Sequence, residues 1–219
     1  MKYDIVLGDA EQRSPEWFAL RAGRLTGSAV AAVFATVKTG EAAARRDLRY
    51  ALAIERITGQ PYETSAFVSP EMQRGIDLEA TARSIYEAET GNFVRSTGFI
   101  YRPDLMVGCS LDGDVRSFEG IIEIKCPKSS TMVEYITEGV VPSKYVPQIT
   151  HNLWVTGAEW CDFVAYDDRL PDGLQFFRKR VFAHELDLKA HEEGVLKFLA
   201  EVDSQVGQLR NLIAQRGAK

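Results

Sequence analysis

Two short runs carry residue types that together can act on a phosphodiester: Ser110-Leu111-Asp112-Gly113-Asp114 and Gly120-Ile121-Ile122-Glu123-Ile124-Lys125-Cys126-Pro127. The second run has strand character. Side chains alternate between the faces of a strand, so Glu123 and Lys125 share one side. Ile122 and Ile124 turn to the other, into a core. Asp112 closes the preceding strand at a turn and reaches the Glu123 face if the two strands pair. Phosphodiester hydrolysis needs an activated water and compensation for the charge of the transition state, and divalent metal supplies both. Magnesium prefers hard oxygen donors and keeps several waters, so two or three carboxylates suffice. Asp112 and Glu123 are the expected first ligands, with the Ile124 carbonyl as a third. Lys125 beside them would orient the attacking water or help deprotonate it, its pKa lowered by the cation. A lone Glu-x-Lys is usually a surface salt bridge. The Asp-Gly turn upstream and the apolar flanks weigh against that here. Asp114 reads as the turn residue.

The elements that must position these groups are legible as punctuation. Ser14-Pro15 and Ser69-Pro70 are cap-plus-proline helix starts, opening helices predicted over 15–23 and 70–89. Further helices are predicted at 28–34, 41–57, 129–138, 143–155 and 184–215, with strands at 93–101, 105–110, 120–125, 160–166 and 174–182. Turns fall at Pro103-Asp104 and at Asp112-Gly113-Asp114. The order predicts an α/β (α+β) fold: a mixed central β-sheet flanked by helices, with a long C-terminal helix. With no linker or internal repeat, residues 1–219 read as a single domain.

Composition bounds the function class. Hydrophobic residues make up 45% and charged residues 26% of the chain, which suits an ordinary globular core. Cys109, Cys126 and Cys161 form no CxxC pair, which argues against zinc and iron–sulfur sites. No apolar run is long enough for a membrane helix. The N-terminal residues lack signal-peptide character, so a cytoplasmic location is expected. A net charge of -5 argues mildly against nucleic acid taken alone. Carboxylates reserved for metal count as negative, and the placement of charge matters more than its sum.

Asp, then Glu-x-Lys, is the pattern of the PD-(D/E)xK nuclease superfamily, and Gly120–Pro127 resembles the matching segment of the lambda exonuclease and YqaJ viral recombinase family. Three further stretches resemble that family in the right order. They are Trp17–Ser28, Arg74–Arg83, and Tyr145–Gln148 with Asn152–Gly157. The likeness runs from about residue 14 to 170 and is weakest in 35–68 and beyond 183. It departs at Leu111, where the family often has proline. The resemblance implies a restriction-endonuclease-like core and a 5′ to 3′ exodeoxyribonuclease. Such an enzyme degrades one strand of linear duplex DNA to mononucleotides and leaves 3′ overhangs for phage-type recombination by a single-strand annealing protein. It implies two Mg2+ per site (Mn2+ is an alternative), a homotrimeric ring around DNA, and a phage-encoded protein of the host cytoplasm. Glu79 would complete the acidic cluster, Lys125 would be catalytic, and Gln148 would line the active site. Arg21, Thr26, Ser28 and Ser110 would hold the 5′-terminal phosphate. Arg21 suits two-pronged phosphate binding, and Thr26-Gly27-Ser28 precedes a predicted helix, whose N-terminus attracts anions. Two other readings remain open: a restriction-like endonuclease on the same core, and a DNA-end binding module without catalysis.

Other features are weaker. Arg45, Arg49 and Arg56, with Lys38 just before them, could touch a DNA backbone or pair with acids. Arg178-Lys179-Arg180 reads as an exposed edge strand. Met72 could pack, or wedge apart a terminal base pair. Trp17 and Trp154 read as core, and His151, His184 and His191 as structural or exposed. Val195, Leu199, Val202, Val206, Leu209 and Ile213 form a short heptad seam, suited to its own domain or to a subunit contact.

Overall fold

A computed structural model describes residues 4–62 and 69–217. In chain order the elements are β1 (Val6–Leu7), α1 (Pro15–Arg21), β2 (Leu25–Thr26), α2 (Ala43–Thr58), α3 (Pro70–Thr90), β3 (Val94–Arg95), β4 (Phe99–Arg102), β5 (Val107–Ser110), β6 (Gly113–Val115), β7 (Gly120–Lys125), α4 (Ser129–Glu138), α5 (Val146–Thr156), β8 (Trp160–Tyr166), β9 (Phe176–Phe182) and α6 (Leu188–Gly217). The Ser14 and Ser69 hydroxyls cap α1 and α3 by accepting from Trp17 and Met72 N–H groups, with proline in the first turn of each. Glycines at 59, 91, 139 and 157 close α2, α3, α4 and α5 in the left-handed conformation.

The expected mixed architecture is present, with its strands divided into two hydrogen-bonded sheets of order β1-β4-β5-β2 and β3-β6-β7-β8-β9. Both are mixed, since β2 runs parallel to β5 and β7 parallel to β8. The chain passes from one sheet to the other through Leu111 and Asp112, between β5 and β6. The second sheet has layers on both faces. Ile121, Phe163 and Ala165 join the larger core with α5 and α6, while Ile122, Ile124 and Val164 pack with Ala82 and Tyr86 of α3.

Four local predictions are corrected. The helix expected at 28–34 is one 3-10 turn, Val30–Ala32. The strand expected at 93–101 is two, broken at Ser96–Gly98, where Gly98 lies against the Gly8 carbonyl too closely for any side chain. Asp112–Asp114 is no hairpin turn: Gly113–Val115 is strand β6, and the reversal follows it. There Arg116, Ser117 and Phe118 all take positive φ. Asp114 is buried and anchors this strained loop, its carboxylate accepting from Phe118 N and from Arg95 Nε.

The heptad seam of α6 folds onto its own chain. Val195, Leu199, Val202 and Val206 are buried and Leu209 packs beside them, while Ile213 stays exposed. Arg45 pairs with Glu41 and Glu201, Arg49 with Glu41 and Gln205, and Arg56 with Asp203, so the arginine face of α2 binds largely to α6. Arg178 and Arg180, on edge strand β9, grip the buried Asp162. Trp17 and Trp154 are core residues. Met72 is exposed in the first turn of α3. Among the described residues no helix is long and apolar enough to cross a membrane.

Candidate active site

β7 is covered on both faces, yet carries two charges. Glu123 and Lys125 share the face of Ile121, as alternation requires, and Glu123 is 1% exposed. A buried carboxylate must be partnered, and Glu123 is held from three sides. Lys125 Nζ donates to its Oε1 at 2.5 Å, Gln148 Nε2 to the same oxygen at 2.7 Å, and Asn152 Nδ2 to its Oε2 at 3.3 Å. Gln148 and Asn152 are one turn apart on α5, so one helix face supplies both amides. Asp112 approaches across the strand end, its Oδ2 accepting from the Ile124 N–H at 2.6 Å.

The electrostatics are those of crowded acid. Burial pushes Glu123 up to about 7; the Asp112 charge adds to this and Lys125 opposes it. Burial likewise raises Asp112, against the pull of Lys125 and the Ile124 N–H. Lys125 is balanced by its two acids when no cation is beside it. Burial alone would lower its pKa, but Glu123 and Asp112 hold it above the ordinary lysine value. In this arrangement it donates to Glu123.

Glu79 stands on α3, which covers the opposite face of the sheet. It comes near the strand end, where burial and the charge of Asp112 raise its pKa. Its own ion pair is with Arg83, one turn on, at 3.1 Å. Asp112 and Glu123 meet at the strand end, with Glu79 close enough to feel the Asp112 charge and ion-paired to Arg83. Among the described residues no three His, Cys, Asp or Glu side chains group closely enough to hold a metal ion. A buried and a half-buried carboxylate served by one ammonium still suit a hard divalent cation, which needs few protein ligands and would relieve their repulsion.

The second group of expected residues also assembles. Arg21 NH1 donates to Ser110 Oγ at 2.9 Å, and its guanidinium lies 4.1 Å from the Trp17 ring centroid. Burial lowers its pKa, and among the described residues no carboxylate forms an ion pair with it. A half-buried guanidinium with no direct ion pair among the described residues, and with Glu55 acting on it only at longer range, suits an anion. Thr26 lies opposite Gly108 in the parallel pair β2–β5, two residues before Ser28 and Ser110 respectively. The Thr26 and Ser28 hydroxyls are 3.4 Å apart. The helix expected to add its dipole is only the 3-10 turn at Val30–Ala32, so any anion there must rely on Arg21 and the hydroxyls.

Sequence reasoning missed Asn152. It sits inside a quoted stretch, four residues after Gln148, and that helical spacing was the available signal. It also missed the contact of His151 with His191, 40 positions away, whose Nδ1 and Nε2 lie 3.2 Å apart in the core.

Comparison with known proteins places this geometry. A family model described as the YqaJ-like viral recombinase domain matches residues 16–159. LHK-Exo, an alkaline exonuclease from Laribacter hongkongensis, is 38% identical, with a TM-score of 0.81 over 92% of this chain and 99% of that one. Its complex with dAMP gives a TM-score of 0.83 over the same shares. A phage related exonuclease from Haemophilus somnus 129PT shares the fold, at 13% identity and TM-score 0.61 over 87% of this chain and 96% of that one. No curated protein sequence matches. By its sequence and its fold, the chain belongs to the YqaJ-like viral recombinase family.

Proposed function

We propose that the chain is a magnesium-dependent exodeoxyribonuclease that degrades one strand of linear duplex DNA from a 5′-phosphorylated end. The observation that carries this reading is the convergence of Asp112, Glu123 and Lys125 at the end of β7, with Gln148 on the same carboxylate. Asp112 and Glu123, with the Ile124 carbonyl and with Glu79 assisting, would hold up to two Mg2+, or Mn2+. Bound metal supplies an activated water and neutralises charge on the leaving oxygen. Lys125, kept protonated by its two acids, orients the attacking water and offsets negative charge on the scissile phosphate. Gln148 fixes the Glu123 carboxylate and faces the same space.

Arg21, Ser110, Thr26 and Ser28 bind the 5′-phosphate and so select ends. The dAMP held by LHK-Exo is a deoxynucleoside monophosphate, which supports mononucleotides as the product here. Polarity 5′ to 3′, passage of the 3′ strand to an annealing protein, and a ring-shaped homo-oligomer belong to the same proposal. It further places the protein in a phage-infected host cytoplasm.

The test compares 5′-phosphorylated linear, 5′-hydroxyl linear and closed circular duplexes with Mg2+, using wild type and Lys125→Ala. Fast loss of the first substrate alone is expected, and a fall of about 10²–10³-fold in the variant, the usual scale for loss of a group that stabilises transition-state charge. Rapid loss of circular DNA would replace the exonuclease with an endonuclease. Identical behaviour with and without chelator would leave only an end-binding module.

A further inference from the structure

Asn152 joins the two halves of the site. Its Nδ2 donates to Glu123 Oε2, and its residue is 1% exposed. Its Oδ1 is buried and accepts no hydrogen bond among the described residues. That oxygen lies against Gly27, at the centre of the Thr26-Gly27-Ser28 turn, so closely that a β-carbon on Gly27 would overlap it. A buried amide with one end on the metal-binding carboxylate and the other, unsatisfied, against the phosphate-binding turn is costly unless it is used.

We propose that Asn152 is a positioning residue that sets Glu123 and transmits occupancy of the Thr26–Ser28 turn to it. End-phosphate recognition then raises the rate of cleavage as well as the affinity for DNA. Gly27 is required because only a residue without a side chain lets the turn approach the amide. The inference rests on the nuclease reading above, and deepens it by naming the residue that couples end selection to turnover.

The experiment measures kcat and KM on 5′-phosphorylated and 5′-hydroxyl linear duplexes, and Mn2+ affinity by calorimetry on the protein alone. Asn152→Leu keeps the volume and removes the amide; Asn152→Ala removes the amide without adding charge, and serves if the leucine variant does not fold. Melting temperature reports folding. Mn2+ affinity is expected to fall about tenfold, the low end for loss of a group that holds a metal ligand. The kcat ratio between phosphorylated and hydroxyl ends should fall toward one, with KM for the phosphorylated duplex within about twofold of wild type.

The proposal is overturned if a folded variant keeps either the wild-type ratio or the wild-type Mn2+ affinity. A wild type that degrades neither linear duplex removes the nuclease reading and this inference together. An active, discriminating wild type whose ratio survives in the variant removes the inference alone.

Discussion

Glu123 is the residue on which the chemistry and the energetics of the site meet. Three donors hold it, yet burial and Asp112 still push its pKa up to about 7. In chelator this carboxylate is a burden on the fold; under the proposed function a divalent ion would take it as a ligand. Mg2+ at 100 times its dissociation constant should therefore stabilise wild type by about 2.7 kcal/mol, the binding contribution at that ratio. Glu123→Gln should keep at least the chelator-state melting temperature of wild type and gain nothing from Mg2+. Thermal melts with and without the ion measure this, and an equal Mg2+ shift in both proteins would remove Glu123 from the metal site. Asp114 works differently. Taken from sequence as a turn residue, it is a buried anchor for the left-handed loop at Arg116–Phe118. Asp114→Ala should cost about 2–3 kcal/mol, the scale of charge-assisted hydrogen bonds lost from a buried site. Urea denaturation reads it, and a loss under 0.5 kcal/mol, on the order of an ordinary surface substitution, would contradict the anchoring role.

At the scale of elements, α5 carries the site on one face and a histidine contact on the other. Gln148 and Asn152 hold Glu123, while His151 meets His191 of α6 beside Trp154. Burial lowers His151 to about 3, with His191 adding to this, and burial lowers His191 to about 4. Unfolded, both rings titrate near 6.5. The folded protein thus binds fewer protons below that point. The contribution of the pair is complete above about pH 6.5 and drains away as pH falls toward 4 and 3, at up to about 1.4 kcal/mol per pH unit per ring. His191→Gln should show a shallower loss of stability between pH 6.5 and 4.5 than wild type in denaturant titrations. Parallel curves would mean that the rings are already charged in the fold.

Over the whole molecule, the acidic balance of the chain is spent in places the sum could not reveal. Much of it binds α2 to α6 and β9 to β8, and Glu123 and Asp112 act on Lys125 at the site. The α6 seam from Val195 to Val206 is buried within the chain, while Leu212 and Ile213 on its last turns stay exposed. Ile213→Asp, on the exposed last turns, should leave the oligomeric mass by light scattering unchanged, whereas Val202→Asp should cost several kcal/mol by burying an unpaired charge. A mass change in Ile213→Asp alone would restore the helix as an assembly element.

By itself the sequence determined the local events: caps at Ser14 and Ser69, glycine stops, the alternation that puts Glu123 and Lys125 on one face, and the motif order that marks the family. Each depends on neighbours a few residues apart. Tertiary structure decided what depends on groups far apart in the chain. It split the strands into two sheets and set Glu79, on α3 across the opposite face, within reach of the Asp112 charge while ion-paired to Arg83. It set Lys125 against Glu123 and Asp112, which favour its charged form over its own desolvation. It also brought Asn152 between Glu123 and Gly27, 125 positions from the glycine, where spacing along the chain says nothing about distance in space.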